Sequence, residues 1–322
     1  MFNSIYLSKN RMWNCLGTYY QAILESNGYN NEWLNIFKGY SIRYKRTNRD
    51  ELFSKYGNNP WGYQPIEFFK KDQIINFEYL IEQFFKDMNI KVEKKRYSND
   101  LKLDIIIREC LRNEIYLIIN VDEFYLEHLK KYFFKIHNKH FLLIYGMKGK
   151  IVTVVDSEIG TCIDIPIDQI KRSIERSSYR NMMIYYVHLP EYKNKYTITY
   201  DSYKELNRCL ANINWKKDVF KGIYTGINNK YSNYYLEGFC FMISFKILPY
   251  LRWLCLLNSR CEYPDKFDID HRLTDEIRLW ETLILILEIE IRKHSANIIN
   301  KIEIVKNKIM LNASILTKGE DI

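Results

Sequence analysis

The sequence lacks the features that mark several large classes of protein. Its seven cysteines are odd in number and form no Cys-x-x-Cys pair, so neither a zinc site nor a disulfide framework is predicted. No glycine-rich phosphate-binding loop occurs. The net charge of +9 is spread along the chain and accompanies no DNA- or RNA-binding motif. We therefore expect no metal, no bound nucleotide and no nucleic-acid partner.

A membrane-spanning segment is also missing. The most apolar stretch, "FCFMISFKILPYLRWLCLL" (239–257), contains Lys246, Pro249 and Arg252, and basic residues at such positions are costly in lipid. It indicates a pair of buried helices, broken near Pro249. The first residues, "MFNSIYLSKNRMWN", contain no uninterrupted apolar run of the secretory type. With cysteines that look reduced, we expect a cytoplasmic protein that is not bound to a membrane.

What is present is a globular composition with a basic surface. The 322 residues are 47% hydrophobic and 27% charged, enough for two domains with a substantial core. The diffuse positive charge favours an acidic protein partner or an anionic substrate. A solvated basic surface without a role explains the same charge equally well.

Hydrophobic periodicity divides the chain into helices followed by a sheet. The helical patterns cover 13–26, 31–46, 75–89 and 100–112, with a turn-rich loop at 56–69 and a strand at 90–97 between them. The β-rich runs cover 114–122, 140–146, 150–157, 161–167 and 181–189. The short connection "GMKG" predicts that the second and third runs form an antiparallel hairpin. This order is typical of an α+β fold.

The remaining third of the chain is predicted to be a helical bundle. "PEYKNKYTIT" is polar and resembles a linker, and the segments 201–213, 231–257, 271–293 and 294–313 show helical spacing. We therefore predict a first domain over 1–190, a linker over 191–200 and a helical C-terminal domain over 201–322.

Cys15 opens the first helix, and two interpretations of it compete. Cysteine is a common buried core residue, but the start of a helix favours the thiolate form that acts as a nucleophile. A nucleophilic thiol requires a base and a group that orients the base. His140 opens a strand and Asp156 closes the strand predicted beside it, so both lie at one end of the sheet. His137 ranks second as the base because no strand fixes it, and His128 is set aside in a predicted helix, "EHLKKYF".

This order of cysteine, histidine and aspartate is that of papain-like enzymes. The stretches "NCLGTYYQAILESNGY", "VDEFYLEH" and "HNKHFLLIYGMKGKIVTVVDS" resemble the N-terminal domain of the butirosin-pathway acyltransferase and its C39-peptidase-like relatives. They are also similar to the cysteine-protease-like enzyme that forms amide bonds in closthioamide assembly. The resemblance covers roughly residues 10–190 and implies a papain-like (C39-peptidase-like) fold in the first domain.

The resemblance implies roles for particular residues. Cys15 corresponds to the nucleophile, His140 to the general base and Asp156 to the orienting carboxylate. Asp122 and Tyr125 match a segment that lines the cleft in the family. Papain-like proteases place a glutamine six residues before the cysteine to stabilise the oxyanion, and Lys9 stands there in this chain. Asn10 and Asn14 are therefore the candidates for that role, together with the backbone amide of Cys15.

The resemblance also implies an activity, an acyltransferase that forms amides in thiotemplated natural-product biosynthesis. Cys15 takes an acyl group from the phosphopantetheine arm of a carrier protein and passes it to a small amine or diamine, with no cofactor bound by the enzyme. Two alternatives stay open at this point. The same triad hydrolyses its substrate in a cysteine peptidase or thioesterase, and an inactive papain-like fold serves as a carrier-binding scaffold.

Overall fold

A computed structural model describes residues 7, 15–29, 40–44, 66–70, 73–75, 77–98, 102–179, 181–190, 202–228, 232–259, 266–293 and 297–318. The chain divides into two compact units. The first, here called the sheet unit, comprises the described residues within 1–33 and 81–197. The second, the helical unit, comprises those within 34–80 and 198–322. The domain boundaries predicted from the sequence stay a prediction.

A six-stranded antiparallel sheet forms the centre of the sheet unit. Its strands follow the spatial order β4-β9-β5-β6-β7-β8. Each of the β-rich runs predicted in this region is a strand in the structure, as is the predicted strand over 90–97. The bounds are β4 Lys91–Arg96, β5 Tyr116–Asp122, β6 Lys139–Lys148, β7 Ile151–Asp156, β8 Thr161–Pro166 and β9 Met183–His188.

The predicted hairpin is formed by β6 and β7. The two strands pair antiparallel, with Leu143 opposite Val155 and Lys148 opposite Ile151. Gly149 in the connecting turn has φ of 62°, a left-handed conformation that glycine adopts without a steric penalty. The hairpin brings the start of β6 and the end of β7 to the same edge of the sheet, where His140 and Asp156 lie.

The core of the sheet unit follows the two-residue period of its strands. Alternate residues of β5, Leu117, Ile119 and Val121, enter one apolar cluster with Leu142 of β6. Helices α3 and α4 cover this face, and helix α1 contacts β5 and β6. The helices of this region are α1 Cys15–Ser26, α2 Phe77–Asp87, α3 Leu103–Arg112 and α4 Ile167–Glu175.

The helical unit combines a small sheet with a series of helices. The strands β1 Tyr40–Tyr44, β2 Ile66–Lys70 and β3 Gln73–Ile75 pair antiparallel in that order. The helices are α5 Ser202–Ala211, α6 Asn214–Ile227, α7 Ser232–Met242, α8 Leu248–Ser259, α9 Lys266–Lys293 and α10 Ile298–Lys318. None of the helices within the described ranges is long and apolar enough to cross a membrane.

The break predicted near Pro249 is a local distortion in the structure, and the helical path continues through it. Residues Ile243–Ile247 form a π-helical segment between α7 and α8. Proline has no backbone N–H to donate, and its ring displaces the carbonyl four residues earlier. The wider hydrogen-bonding pattern of a π-helix accommodates this loss without ending the helical path.

Three predictions of local structure were wrong. The helix predicted over 31–46 is a strand at Tyr40–Tyr44, and the loop predicted over 56–69 becomes a strand at Ile66–Lys70. Each strand supplies the backbone partners of the other, a long-range pairing that local spacing does not reveal. The rest of both segments lies outside the described residues. His128 lies in a series of turns rather than in a helix. The structure confirms that the chain combines helices with an antiparallel sheet, as expected for the predicted α+β class.

Candidate active site

Cys15 is the first residue of helix α1, and its side chain is partly exposed. Unpaired amides at the start of a helix favour negative charge nearby. The Cys15 side chain shares a hydrogen bond with the imidazole of His140. The thiol predicted to be a nucleophile therefore contacts the histidine predicted to be its base.

His140 is buried at the start of β6 and is held on several sides. Its Nε2 donates to Oδ1 of Asp156 at 3.1 Å, which leaves Nδ1 as the ring nitrogen for the thiol. The side-chain amide of Asn120 donates to the His140 carbonyl at 2.8 Å. Burial lowers the pKa of His140, but the hydrogen bonds to Asp156 and Cys15 outweigh it and raise the pKa to about 10. The site favours the imidazolium form.

Asp156, fully buried at the end of β7, accepts hydrogen bonds on both carboxylate oxygens. Oδ1 accepts from His140 and from the backbone N–H of Glu158, the latter at 2.8 Å. Oδ2 accepts from Nε2 of His128 at 2.8 Å. Burial raises the pKa of Asp156, and the bonds from His128 and His140 lower it by more, so that the pKa lies well below its usual range. Asp156 is an anion shared by two histidines.

Tyr19 fastens the cysteine helix to both strands of the hairpin. One helical turn after Cys15, its buried hydroxyl donates to the carbonyl of Phe141 at 2.8 Å. The same hydroxyl accepts from the backbone N–H of Ser157 at 2.9 Å. Phe141 follows His140 and Ser157 follows Asp156, so one side chain positions α1 against the two residues that form the site.

A second carboxyl group lies beside His140. Glu123, fully buried, places Oε1 at 3.4 Å from His140 Nδ1, while its other oxygen accepts from the side chain of Asn138. Burial raises the pKa of Glu123, whereas His140 and Asn138 lower it by less. Among the described residues, Oε1 has no hydrogen-bond donor. The site thus contains an acceptor that is buried but not fully used.

The other candidates named from the sequence lie apart from this chain of hydrogen bonds. Asp122 is buried and pairs with Nδ1 of His137 at 2.8 Å. The Tyr125 hydroxyl donates to the carbonyl of Arg176 at 2.9 Å. In the structure these contacts fix the loop after β5, and a role in the cleft stays a prediction for both residues. Asn10 and Asn14 lie outside the described residues.

Sequence reasoning missed His128, Tyr19 and Glu123. His128 was set aside because "EHLKKYF" has helical character, and its contact with Asp156 depends on tertiary structure. For Tyr19 a local signal existed, since residues four apart lie on one helix face and Cys15 was already a candidate. Glu123 directly follows β5, next to the candidate Asp122, and its burial is not encoded locally.

The site therefore joins a thiol, an imidazole and a carboxylate by hydrogen bonds, and these are the groups that a cysteine nucleophile, its base and the group orienting that base would supply. The imidazole can take the thiol proton, and the carboxylate keeps the imidazole in one orientation. Within the part of the chain that the structure describes, no group of three or more histidine, cysteine or acidic residues is arranged to hold a metal ion.

A protein-family model matches part of this chain. The family model described as Butirosin biosynthesis protein H, N-terminal, matches residues 63–157. The match supports the resemblance to the butirosin-pathway acyltransferase stated above. The matched segment includes His128, His140 and Asp156, but it begins after Cys15 and so does not include the cysteine. No curated protein matches the sequence, and the link to the closthioamide enzyme stays a prediction.

Proposed function

We propose that the protein is a cysteine-dependent acyltransferase that makes an amide from a carrier-bound thioester and an amine. The observation that carries this proposal is His140, which is hydrogen-bonded to Cys15 and to Asp156. The match over residues 63–157 adds the biosynthetic context, because the family model is named for butirosin biosynthesis. We further propose that the sheet unit has a papain-like fold and that the protein acts in the cytoplasm.

In the first half-reaction, His140 takes the proton of Cys15 and the thiolate attacks the acyl carbon of the thioester. A bond forms between sulfur and the acyl carbon, and the tetrahedral intermediate expels the phosphopantetheine thiolate. That thiolate leaves with the proton held by His140. The raised pKa of His140 suits this step, because an imidazole must hold the thiol proton while the sulfur attacks.

The second half-reaction transfers the acyl group to nitrogen. The amine attacks the acyl carbon of the Cys15 thioester, and the proton lost by nitrogen passes to His140. The carbon–sulfur bond breaks, which restores the thiolate beside an imidazolium. Since the thioester is already an activated acyl donor, neither half-reaction consumes a nucleotide.

Two further residues position the catalytic groups. His128 donates to the Asp156 oxygen that His140 does not use, which keeps the carboxylate anionic and in place. Tyr19 fixes the cysteine helix to the backbone beside His140 and Asp156. Neither residue is assigned a proton-transfer step, and both act through the residues they hold.

The test is intact-protein mass spectrometry with an acetyl-loaded acyl carrier protein, with and without 1,3-diaminopropane. We expect an acetyl adduct that is lost in Cys15→Ala and in His140→Ala. It should resolve to the acetylated diamine only when the amine is present. A matched control is His271→Gln, which changes an exposed histidine of the helical unit and should leave the adduct intact.

Two outcomes would contradict this function. Release of free acetate at the same rate with or without amine would make the protein a thioesterase. No adduct from either the carrier or a small acetyl thioester would indicate that the fold serves as a scaffold.

A further inference from the structure

The connection between β5 and β6, together with the first residue of β6, presents lysines and apolar side chains on the surface. We name residues 123–139 the lysine loop. Lys130, Lys131, Lys135 and Lys139 are exposed in it, and the sequence from 128 to 139 contains no acidic residue. Phe134 and Ile136 lie among these lysines with 56% and 53% of their surface exposed. Large apolar side chains within a charged surface are typical of a protein-binding site.

Phe134 is held in this exposed position at a conformational cost. Its φ is 51°, a left-handed conformation that bulky residues rarely adopt. The backbone N–H of Phe134 donates to the carbonyl of Phe124 at 2.9 Å, and the two rings meet edge to face with centroids 5.2 Å apart. Strain of this kind persists where the surrounding structure enforces it, and it is concentrated at functional segments.

The lysine loop rests on a rigid base. Phe124 stacks on His137 with ring centroids 4.1 Å apart, and buried Asp122 holds that histidine by a hydrogen bond of 2.8 Å. Lys135 Nζ donates to the carbonyl of Lys130 at 2.9 Å. A preorganised surface loses little conformational entropy when a partner binds.

Residues of the lysine loop also contact the candidate active site. Glu123 at its start lies beside His140, and His128 within it donates to Asp156. Its last residue, Lys139, directly precedes His140. A protein that docks on this loop is thereby brought next to His140, the histidine that is hydrogen-bonded to the proposed acyl acceptor, Cys15.

We propose that the lysine loop is the docking surface for the protein that delivers the acyl thioester, and that this partner presents an acidic face with an apolar patch. The inference rests on the function proposed above. Charge complementarity selects the partner, because the four exposed lysines outnumber the one exposed acid of the loop, Glu127, and attract negative charge. Phe134 and Ile136 supply the apolar contact at the centre of the surface.

The test compares one acyl group delivered in two ways, on an acetyl-loaded acyl carrier protein and on the small thioester acetyl-N-acetylcysteamine. In Lys130→Glu/Lys135→Glu, kcat/KM for the carrier should fall about tenfold more than kcat/KM for the small thioester, with most of the change in KM. Raising the salt concentration should reduce the difference, because exposed charges are screened. Lys148→Glu, at the far end of β6, is the matched control. It should change kcat/KM for the carrier and for the small thioester to about the same small extent.

A second variant separates docking from folding. Asparagine tolerates a left-handed backbone better than phenylalanine, so Phe134→Asn removes the ring while suiting the turn. We expect the same selective loss on the carrier from this variant. Calorimetric titration of each protein with the carrier measures docking independently of turnover.

The proposal is overturned if wild type and the charge-reversal variant bind the carrier equally, if neither binds it, or if both thioesters lose activity to the same extent. Failure of the proposed function has a different signature, since wild-type protein would then leave the small thioester unchanged as well.

Discussion

Each unit of the molecule buries a charged cluster, and the two clusters differ in how completely they are paired. In the helical unit, Lys216 Nζ lies 2.7 Å and 2.8 Å from the two carboxylate oxygens of Glu276. The indole N–H of Trp280 donates to the same carboxylate at 3.1 Å, and the rings of Trp215 and Trp280 stack beside it. Charge is matched by charge, which is the arrangement of a structural ion pair.

The cluster of the sheet unit is left open. Nδ1 of His128 and Oε1 of Glu123 are buried and have no hydrogen-bond partner among the described residues. Cys15, hydrogen-bonded to His140, is still partly exposed. Buried polar atoms without partners cost stability, and their position beside His140 and Asp156 fits the catalytic role proposed for this cluster. The closed cluster is paired as a structural ion pair is, whereas the open cluster has the incompletely paired groups that suit the proposed catalytic site.

Breaking the closed cluster should produce the largest change in stability. Lys216→Met leaves the Glu276 carboxylate buried without its cation, and we expect the free energy of unfolding to fall by about 3–5 kcal/mol. Urea denaturation followed by circular dichroism measures the change. The double variant Lys216→Met/Glu276→Leu should recover most of it, because both charges are then absent. A single variant as stable as wild type would show that the pair does not hold the helical unit.

Breaking the open cluster should instead affect chemistry. Asp156→Asn keeps a side chain of the same size but removes the charge that orients and stabilises the His140 imidazolium. We expect acyl-enzyme formation to slow by about 10⁴-fold, while the far-ultraviolet circular dichroism stays that of wild type. Quenched-flow mass spectrometry measures the rate. A wild-type rate in this variant would remove Asp156 from the mechanism.

His128 should contribute a smaller, pH-dependent effect. His128→Leu removes a donor from Asp156, so the pKa of Asp156 rises and the acidic limb of the rate profile shifts to higher pH. We expect about a tenfold slower acylation at neutral pH, an order of magnitude for one charge-assisted hydrogen bond. His128→Gln keeps a donor and should restore both rate and profile. A variant that is merely less stable, with an unshifted profile, would contradict the positioning role.

The pH dependence of stability should report on His140 itself. In the folded protein the pKa of His140 is raised to about 10 from an ordinary value of 6.5. Its contribution to stability is therefore complete below about pH 6.5 and is lost as the pH rises towards 10. We expect the unfolding free energies of wild type and His140→Gln to converge over that interval. The lowered pKa of Asp156 acts in the opposite sense, since its contribution is lost as the pH falls into the acidic range.

Hydrophobic periodicity predicted most strands of the sheet unit. It failed for strands whose pairing partners lie far away in the sequence. The hairpin of β6 and β7 was predictable because the two strands and the tight turn between them follow one another directly in the sequence. Together with the family order, it placed His140 and Asp156 at one end of the sheet. The strand Tyr40–Tyr44 was not predictable, since its partner Ile66–Lys70 lies more than twenty residues away. Tertiary pairing overrode the local helical pattern there.

His128 illustrates the same limit at the level of the site. Its neighbours Glu127, Leu129 and Lys130 favour a helix by composition, yet the segment forms turns. The turns carry the ring to Asp156, and only the folded arrangement of β7 creates that acceptor. A sequence pattern identifies a histidine that opens a strand more readily than one that reaches a site from a loop.

Activation of the Cys15 sulfur by His140 can be measured from the rate at which each cysteine is alkylated. The rate of carbamidomethylation by limiting iodoacetamide at pH 7 is followed at each cysteine by peptide mass spectrometry. Cys162 is exposed on β8 and serves as an internal reference within the same molecule. We predict that Cys15 reacts faster than Cys162 and that His140→Gln slows Cys15 by about 100-fold without changing Cys162. Equal rates at the two cysteines, or a Cys15 rate that is the same in His140→Gln, would show that His140 does not activate Cys15.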